Sequence, residues 1–340
     1  MTKKFNVVQV GFGPMGQRIT KLLLKRKNLN LLGVVDIAPN LKGKTINEIL
    51  DIPKIPEIII ESDLDALLAK EKADVVIIGT SSFFESIIPT ITTSLNAKAN
   101  VISLCEQLSF PFEFHQELAT KVDEMAKEKG LTVVGSGINP GYLMDLLPIV
   151  LTAPCETVEK IHVTRMMNSS KRRIPFQKKI GTNLTVEEFN KKIREKEITG
   201  HVGLEESIQM IVAALGFEID EIVEYPPKAI LAEKEMDSVL GKIPKGNVRG
   251  LHSKGVAKKD GEEVIILDFY AYAGNHEEYD SIEIDGLPGI KQKIQGGVHG
   301  DIGTASMIVN LIPRVVAAKP GLLTMKDLPV PFYTAEVKKD

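Results

Sequence analysis

The chain has 340 residues, a net charge of −3 and 26% charged residues, a length that predicts two domains rather than one core. No long basic run favours nucleic acid as a partner, and two cysteines are too few for a disulfide framework or a common zinc motif, so no metal is expected. No apolar stretch reaches the roughly 20 residues that span a bilayer. With no signal peptide before the first strand, we expect a cytoplasmic protein without a membrane contact.

The first 36 residues predict a strand, a glycine turn, a helix and a second strand. Gly11 permits the tight turn, Gly13 leaves room for a pyrophosphate, and Gly16 lets the helix pack on the strand. The helix N-terminus then offers N–H groups to the phosphates. A tight turn without a ligand is the alternative interpretation. The residues predicted to contact a dinucleotide here are Gly11, Phe12, Gly13, Pro14, Met15 and Gly16.

Asp36 ends the second predicted strand, 20 residues after Gly16. A carboxylate at this position accepts hydrogen bonds from the ribose hydroxyls and repels a 2′-phosphate. The sequence therefore favours NAD. Lys42 and Lys44 follow closely enough to soften that preference toward NADP, although solvated loop charges are the simpler interpretation.

Further strands and helices alternate as far as residue 135, which predicts a doubly wound parallel sheet of the Rossmann type. The predicted strands lie at 58–60, 73–79, 100–104 and 131–135. The predicted helices lie at 63–71 with Ser62 as a cap, at 83–95 and at 111–129.

The pattern then changes to α+β with a mainly antiparallel sheet. Its predicted elements are helices at 142–151 and 204–215, a strand at 158–167, a hairpin of 248–256 with 264–273 through Asp260-Gly261, and an edge strand at 281–284. We expect a nucleotide-binding domain at 1–140, to which a C-terminal helix and tail (300–340) return, and a substrate-binding and dimerisation domain at 141–299. One sheet face left open predicts a homodimer.

Two predicted strand ends carry candidate site residues, because ligands bind beyond the carboxyl ends of parallel strands. Gly79, Thr80 and Ser81 suit close contact with a cofactor, or a helix cap at Ser81 or Ser82. Glu106, directly after a buried strand, is the candidate general base. Its alternative is a carboxylate held by backbone amides or a lysine.

Three further residues are candidates for substrate binding. A bend aims the Asn139 amide into a cleft, or closes an Asx-type turn. Arg165 shares a strand face with apolar residues and needs an anion, either a substrate carboxylate or an acid from a partner subunit. His201 precedes a helix and would donate to a substrate oxygen; a capping or core role is the alternative.

These motifs together resemble the 2,4-diaminopentanoate dehydrogenases and the related native NAD(P)-dependent amine dehydrogenases, with an N-terminal domain similar to dihydrodipicolinate reductase. Many sugar dehydrogenases have Glu-Lys-Pro after the fifth strand, with the lysine as base, whereas this chain has Glu106-Gln107-Leu108. The motifs that carry the resemblance are Gly11–Gly16, Cys105-Glu106, Asn139–Gly141, Lys171–Arg173 with Gln177–Gly181, His201–Leu204 and His299–Thr304.

The resemblance implies reversible oxidative deamination, in which an amine becomes a ketone and ammonia while NAD(P) is reduced. It assigns to Glu106 the binding and deprotonation of the amine. We expect Asn139, Arg165 and His201 to bind a distal carboxylate, as in diaminopentanoate or a 4-oxo acid. Two alternatives remain: an alcohol or semialdehyde dehydrogenase of the same architecture, and a non-catalytic nucleotide-sensing protein.

Overall fold

The computed structural model describes residues 4–52, 55–172 and 174–334. The described residues up to Tyr142 and from His299 onward form a first unit, and Leu143–Val298 form a second unit. In these described ranges, no helix is both long enough and apolar enough to cross a membrane.

The first unit begins with a regular alternation of strands and helices, and a 3-10 turn at Glu106–Leu108 follows its fifth strand. In chain order its elements are β1 (Phe5–Val10), α1 (Pro14–Lys25), β2 (Leu29–Val35), α2 (Ile46–Leu50), β3 (Ile60–Glu61), α3 (Leu64–Lys70), β4 (Val75–Ile78), α4 (Phe84–Asn96), β5 (Asn100–Ser103), α5 (Gln116–Lys129) and β6 (Thr132–Gly135).

The second unit follows with α6 (Leu146–Leu151), β7 (Thr157–Asn168), α7 (Ile174–Lys179), α8 (Val186–Arg194), α9 (Leu204–Leu215), β8 (Glu221–Leu231), β9 (Met236–Ser238), β10 (Gly241–Ile243), β11 (Val248–Lys259), β12 (Glu262–Tyr272), β13 (Tyr279–Leu287) and β14 (Ile290–Gln295). The chain then returns to the first unit with α10 (Gly300–Val316) and β15 (Gly321–Leu323).

The first unit contains one parallel sheet in the order β15-β6-β5-β4-β1-β2-β3. Its central strand β4 is buried throughout, as the continuous apolar run Val75–Ile78 predicts. The predicted Rossmann sheet is confirmed. β15 extends it beyond β6; this strand was not predicted, because three residues are too few to give a clear strand pattern.

Three helix N-termini differ from the prediction. α5 begins at Gln116 rather than 111, because residues 111–115 form turns, while Gly130 ends it at φ +67° as expected. α3 is capped by the side chain of Asp63, which accepts from the Ala66 N–H at 3.0 Å, and not by Ser62. The helix predicted from 142 begins at Leu146.

The second unit is built on a six-stranded sheet in the order β14-β13-β7-β12-β11-β8. All its pairs are antiparallel except β12 with β7, so the predicted mainly antiparallel sheet is confirmed. The hairpin of β11 and β12 turns at Asp260 and Gly261, which both have positive φ. The strand predicted at 281–284 is part of β13 and is not an edge, because β14 pairs with its outer side.

Helix α9 covers one face of this sheet. A Cβ added to Gly255 of β11 would lie 3.0 Å from the Ile208 side chain and 3.2 Å from that of Leu204, so the helix rests directly on the strand. The register places Gly255 beside Leu267 and Leu267 beside Val163. By the two-residue period of strands, Ser253, Phe269 and Arg165 share this helix-covered face.

Candidate active site

The glycine turn after β1 is packed so tightly that side chains are excluded at two of its three glycines. A Cβ on Gly16 would lie 1.9 Å from the Gly11 carbonyl oxygen, and Gly11 itself has φ +87° with the Gly79 carbonyl 2.7 Å from its own Cβ position. Below the turn, the buried Gln9 amide donates to the Gly11 carbonyl oxygen at 3.0 Å. At Gly13, by contrast, a Cβ would meet nothing within 4 Å. The turn therefore presents open backbone where a phosphate would approach.

Asp36 supports this turn from the end of β2. Its carboxylate accepts from the Phe12 N–H at 2.6 Å and from the Ala38 N–H at 2.8 Å. An ionised carboxylate has about four acceptor positions, so both oxygens retain capacity for ribose hydroxyls.

The Phe12 side chain is fully buried in a core cluster with Val34 and Ile46. Phe12 is thus a structural part of the turn, and Pro14 starts α1 without an N–H of its own.

A cavity of about 330 Å³ lies within the first unit. We call it the Glu106 cavity. It brings together six of the residues singled out from the sequence: Met15, Gly79, Thr80, Ser81, Glu106 and Asn139. The rest of its lining is Ser82, Leu104, Cys105, Ser136, Gly137, Pro140, Asp301 and Thr304.

Glu106 begins the 3-10 turn that follows β5 and is partly exposed. Among the described residues of its own unit, its carboxylate has neither a hydrogen bond nor an ion pair. The neighbouring Gln107 has a different role: its Oε1 accepts from the Phe84 N–H at 2.9 Å and so caps α4. Ser81 accepts from the Phe83 N–H at 3.1 Å, and the α4 cap comes from Gln107 rather than from a serine. Glu106 is therefore the residue of this strand end whose side chain is available for chemistry.

Sequence reasoning missed three residues of the cavity. Asp301 and Thr304 come from the first turns of α10, and Thr304 Oγ1 accepts from the Ile138 N–H at 3.3 Å. Ser136 follows β6 directly. The motif around His299 signalled the first two, because it contributed to the family resemblance without an assigned role. Nothing in the sequence distinguished Ser136 from other serines.

Arg165 and His201 both belong to the second unit. Arg165 lies in a row of side chains that crosses the sheet, and His201 packs against that row. Ser253, Phe269, Arg165 and Asp280 occupy matching positions on β11, β12, β7 and β13. We call these four residues the Arg165 row. The His201 backbone N–H donates to Ser253 Oγ at 3.2 Å, and its ring stacks on Phe269 with centroids 4.5 Å apart.

Arg165 is only 3% exposed and is paired within the chain. Its Nη1 lies 3.4 Å from Asp280 Oδ1, and its Nη2 donates to the Val298 carbonyl oxygen at 2.7 Å. Burial lowers the pKa of Arg165, and the charge of Asp280 opposes that change. The anion that Arg165 needs is thus supplied in part by Asp280 of the same chain. The sequence had suggested only a substrate carboxylate or an acid from a partner subunit.

His201 is held as a neutral imidazole. Burial of the ring, followed by the positive charges of Lys179 and Arg165, lowers the pKa of His201 to about 3. A neutral imidazole donates one hydrogen bond and accepts another. Near neutral pH, His201 can orient a polar group but cannot supply a positive charge.

In the described ranges, no group of three or more His, Cys, Asp or Glu side chains is arranged to hold a metal ion.

The sheet and the glycine turn define a Rossmann-type nucleotide-binding protein with an α+β second unit. The family model for the 2,4-diaminopentanoate dehydrogenase C-terminal domain matches residues 142–339, and that for the dihydrodipicolinate reductase N-terminus matches residues 5–102. The chain belongs to the 2,4-diaminopentanoate dehydrogenase family, as the resemblance of its motifs predicted.

Individual relatives agree with this assignment. The chain is 36% identical to a 2,4-diaminopentanoate dehydrogenase of Acetoanaerobium sticklandii, over 97% of this chain and 94% of the relative. It is 22% identical to an amine dehydrogenase of Streptomyces virginiae, over 94% and 95% of the two chains. The solved structure of an amine dehydrogenase from Mycobacterium smegmatis covers 97% of both chains with a TM-score of 0.83 and 20% identity, and thus shares the fold.

Proposed function

We propose that this chain catalyses the reversible NAD(P)-dependent oxidative deamination of an amine to a ketone and ammonia. The observation that carries the proposal is the Glu106 carboxylate, which lines the cavity without a partner among the described residues of its unit. The residue next to it cannot take a proton from an alcohol, because Gln107 is an amide committed to capping α4. A lone carboxylate suits a substrate that carries positive charge on nitrogen.

The glycine turn and Asp36 fit a dinucleotide. Side chains are excluded at Gly11 and Gly16, and open space is left at Gly13. The cofactor would lie along this turn and reach toward Gly79, Thr80 and Ser81 at the end of β4. Bound NAD(P)⁺ supplies the acceptor for the hydride that leaves the carbon bearing nitrogen. We propose NAD as the preferred form, because Asp36 places a negative charge where NADP carries its additional phosphate.

Glu106 would first hold the protonated amine as an ion pair and then accept one of its protons. Loss of that proton lets the nitrogen lone pair assist hydride departure from the adjacent carbon. Once that proton has passed to solvent, the carboxylate is again a base: it would accept a proton from the water that adds to the iminium carbon and return it to the nitrogen, which leaves as ammonia. General-base catalysis of this kind is worth roughly 10² to 10⁴ in rate.

We propose a substrate with a distal carboxylate, a 2,4-diaminopentanoate-like compound or another 4-amino acid, bound by Asn139, Arg165 and His201. Arg165 supplies the charge and His201, as a neutral ring, supplies a hydrogen bond. Lys179 adds a second positive charge close enough to affect His201. Because Asp280 already balances part of the Arg165 charge, the affinity for a carboxylate depends on both residues.

We also propose that the chain forms a homodimer through the sheet face opposite α9. That face carries a polar cluster in which Asp268 accepts from His162 at 2.8 Å and from His252 at 2.6 Å, and His252 stacks on Tyr270. His162 remains 39% exposed in the single chain. An uncovered sheet face of an α+β domain is a common site of self-association.

The test is oxidation of NADH with a panel of ketones, with and without ammonium. We expect turnover only when ammonium is present, and the best rates with a 4-oxo acid. Ammonium-independent reduction of a ketone or aldehyde would instead identify an alcohol or semialdehyde dehydrogenase. Binding of NADH without turnover on any member of the panel would favour a nucleotide-sensing protein.

A further inference from the structure

The hydroxyl of Ser136 is an unusual polar group of the Glu106 cavity. Ser136 lines the cavity and is only 3% exposed. Its Oγ is buried and makes no hydrogen bond within the described part of the chain. A buried hydroxyl without a partner costs free energy, and such groups are few in native proteins. A ligand in the cavity would supply the missing partner.

Packing places Ser136 beside the turn that carries Glu106. The Ser136 N–H donates to the Ser103 carbonyl oxygen at 2.9 Å, which joins the ends of β6 and β5. A Cβ on the preceding Gly135 would lie only 2.4 Å from the Leu108 carbonyl carbon, so the end of β6 rests on the 3-10 turn. Ser136 and Glu106 therefore line the same cavity from adjacent strand ends.

We propose that Ser136 is a second nitrogen-binding residue, whose hydroxyl oxygen accepts an N–H of the ammonium or protonated amine paired with Glu106. This inference rests on the proposed function. The N–H groups of an ammonium point in different directions, so those not directed at Glu106 need other acceptors, and a serine oxygen provides two lone pairs. The lining residues that the structure describes include no lysine, arginine or histidine, so nothing among them competes for these acceptors.

Ser103 provides a matched control at the end of the neighbouring strand. It is fully buried, as Ser136 nearly is, but its hydroxyl donates to the Ile78 carbonyl oxygen at 3.3 Å and accepts from the Cys105 N–H at 3.1 Å. Ser103 does not line the cavity. The two serines thus allow a comparison between a hydroxyl that is hydrogen-bonded to the described backbone and one that is not.

The experiment compares Ser136→Ala with Ser103→Ala in reductive amination, with the Tm and the NADH Kd measured alongside. For Ser136→Ala we expect the KM for ammonium to rise about ten- to a hundredfold, the range for a hydrogen bond to a charged group. The KM for the ketone and the Kd for NADH should stay within about twofold of wild type. The Tm should stay or rise, because an unpartnered hydroxyl is removed. Ser103→Ala should lower the Tm and leave the KM for ammonium unchanged.

Three results would overturn the inference. An unchanged KM for ammonium in Ser136→Ala, with wild-type turnover that requires ammonium, removes Ser136 from nitrogen binding and leaves the proposed function intact. A rise in the KM for the ketone alone, or in the NADH Kd, assigns the hydroxyl to another ligand. Wild-type protein that reduces ketones without ammonium overturns both the inference and the proposed function.

Discussion

The Glu106 cavity of the first unit and the Arg165 row of the second unit have opposite charge character. The described lining of the cavity contains two carboxylates, Glu106 and Asp301, together with hydroxyls and amides. The row centres on the buried guanidinium of Arg165, which Asp280 balances in part, and the positive charge of Lys179 acts on His201 beside the row. The first environment suits a cationic nitrogen and the second an anionic group. These are the two kinds of charged group that an amino acid, the substrate class proposed above, carries.

The largest effect is expected when the cavity loses the charge of Glu106. Glu106→Gln keeps the size of the side chain but removes the negative charge and the base. We expect turnover in amine oxidation to fall on the order of 10² to 10⁴-fold, with NADH binding and Tm nearly unchanged. The measurement is steady-state kinetics beside NADH titration. Turnover within about tenfold of wild type would show that Glu106 is not the general base.

A second test concerns the selectivity of the first unit for its nucleotide. Asp36→Asn keeps an oxygen for the Phe12 or Ala38 N–H but removes the charge. We expect the preference for NADH over NADPH, measured as a ratio of Kd values, to fall about tenfold, equivalent to roughly 1.4 kcal/mol. Asp36→Ala serves as the comparison and should also lower the Tm, because both N–H groups lose their acceptor. Equal wild-type affinities for the two nucleotides would contradict the assignment of Asp36.

The Arg165 row can be tested for anion binding separately from its structural role. Arg165→Met should raise the KM for a 4-oxo acid about tenfold or more and leave that for an uncharged ketone nearly unchanged. The Tm should fall, because Asp280 is left buried without its partner. The double variant Arg165→Met/Asp280→Asn removes that buried charge and should recover the Tm but not the KM. Recovery of both would show that Arg165 serves the fold alone.

The smallest expected effect is a pH dependence of stability in the second unit. Burial, together with the charges of Glu205 and Glu206, raises the pKa of Glu224 on β8 from 4.5 to about 8. Between these values the folded protein keeps a proton that the unfolded chain releases, so stability falls as pH rises through this window. Glu224→Gln should therefore raise the Tm above the window and have little effect below it. Glu262→Gln, at an exposed position of β12, is the control and should leave the Tm unchanged at both pH values. Equal Tm shifts at both pH values for Glu224→Gln would contradict the raised pKa of Glu224.

The sequence predicted the first unit better than the second because its signals are local. Buried parallel strands appear as continuous apolar runs, and the glycine turn has a fixed spacing. The start of α5 was predicted too early, since Pro111 suits a first helical turn as well as the turns that precede Gln116. In the second unit, the period of β7 identified Arg165 as buried, but nothing local indicated that Asp280, 115 residues later, would lie beside it.

The candidate site residues show the same difference between local signals and long-range contacts. Glu106 and Asn139 were found because they follow strands, and the structure places both on one cavity. Asp301 and Thr304 come from a helix that returns after the second unit, so their proximity to Glu106 depends on tertiary packing alone. Ser136 was missed because its distinguishing property is a missing partner, and a sequence does not record which hydroxyls remain unsatisfied.

The last strand of the Rossmann sheet has a consequence for synthesis on the ribosome. β15 pairs with β6, yet Gly321–Leu323 is translated after the entire second unit. Until then, β6 is an uncovered sheet edge, and such an edge is open to pairing with other chains. Nascent chains that stop before residue 321 would keep that edge, whereas full-length chains cover it. Completion of the first unit is thus delayed until the second has emerged, and the aggregation-prone interval lasts until β15 has paired with β6.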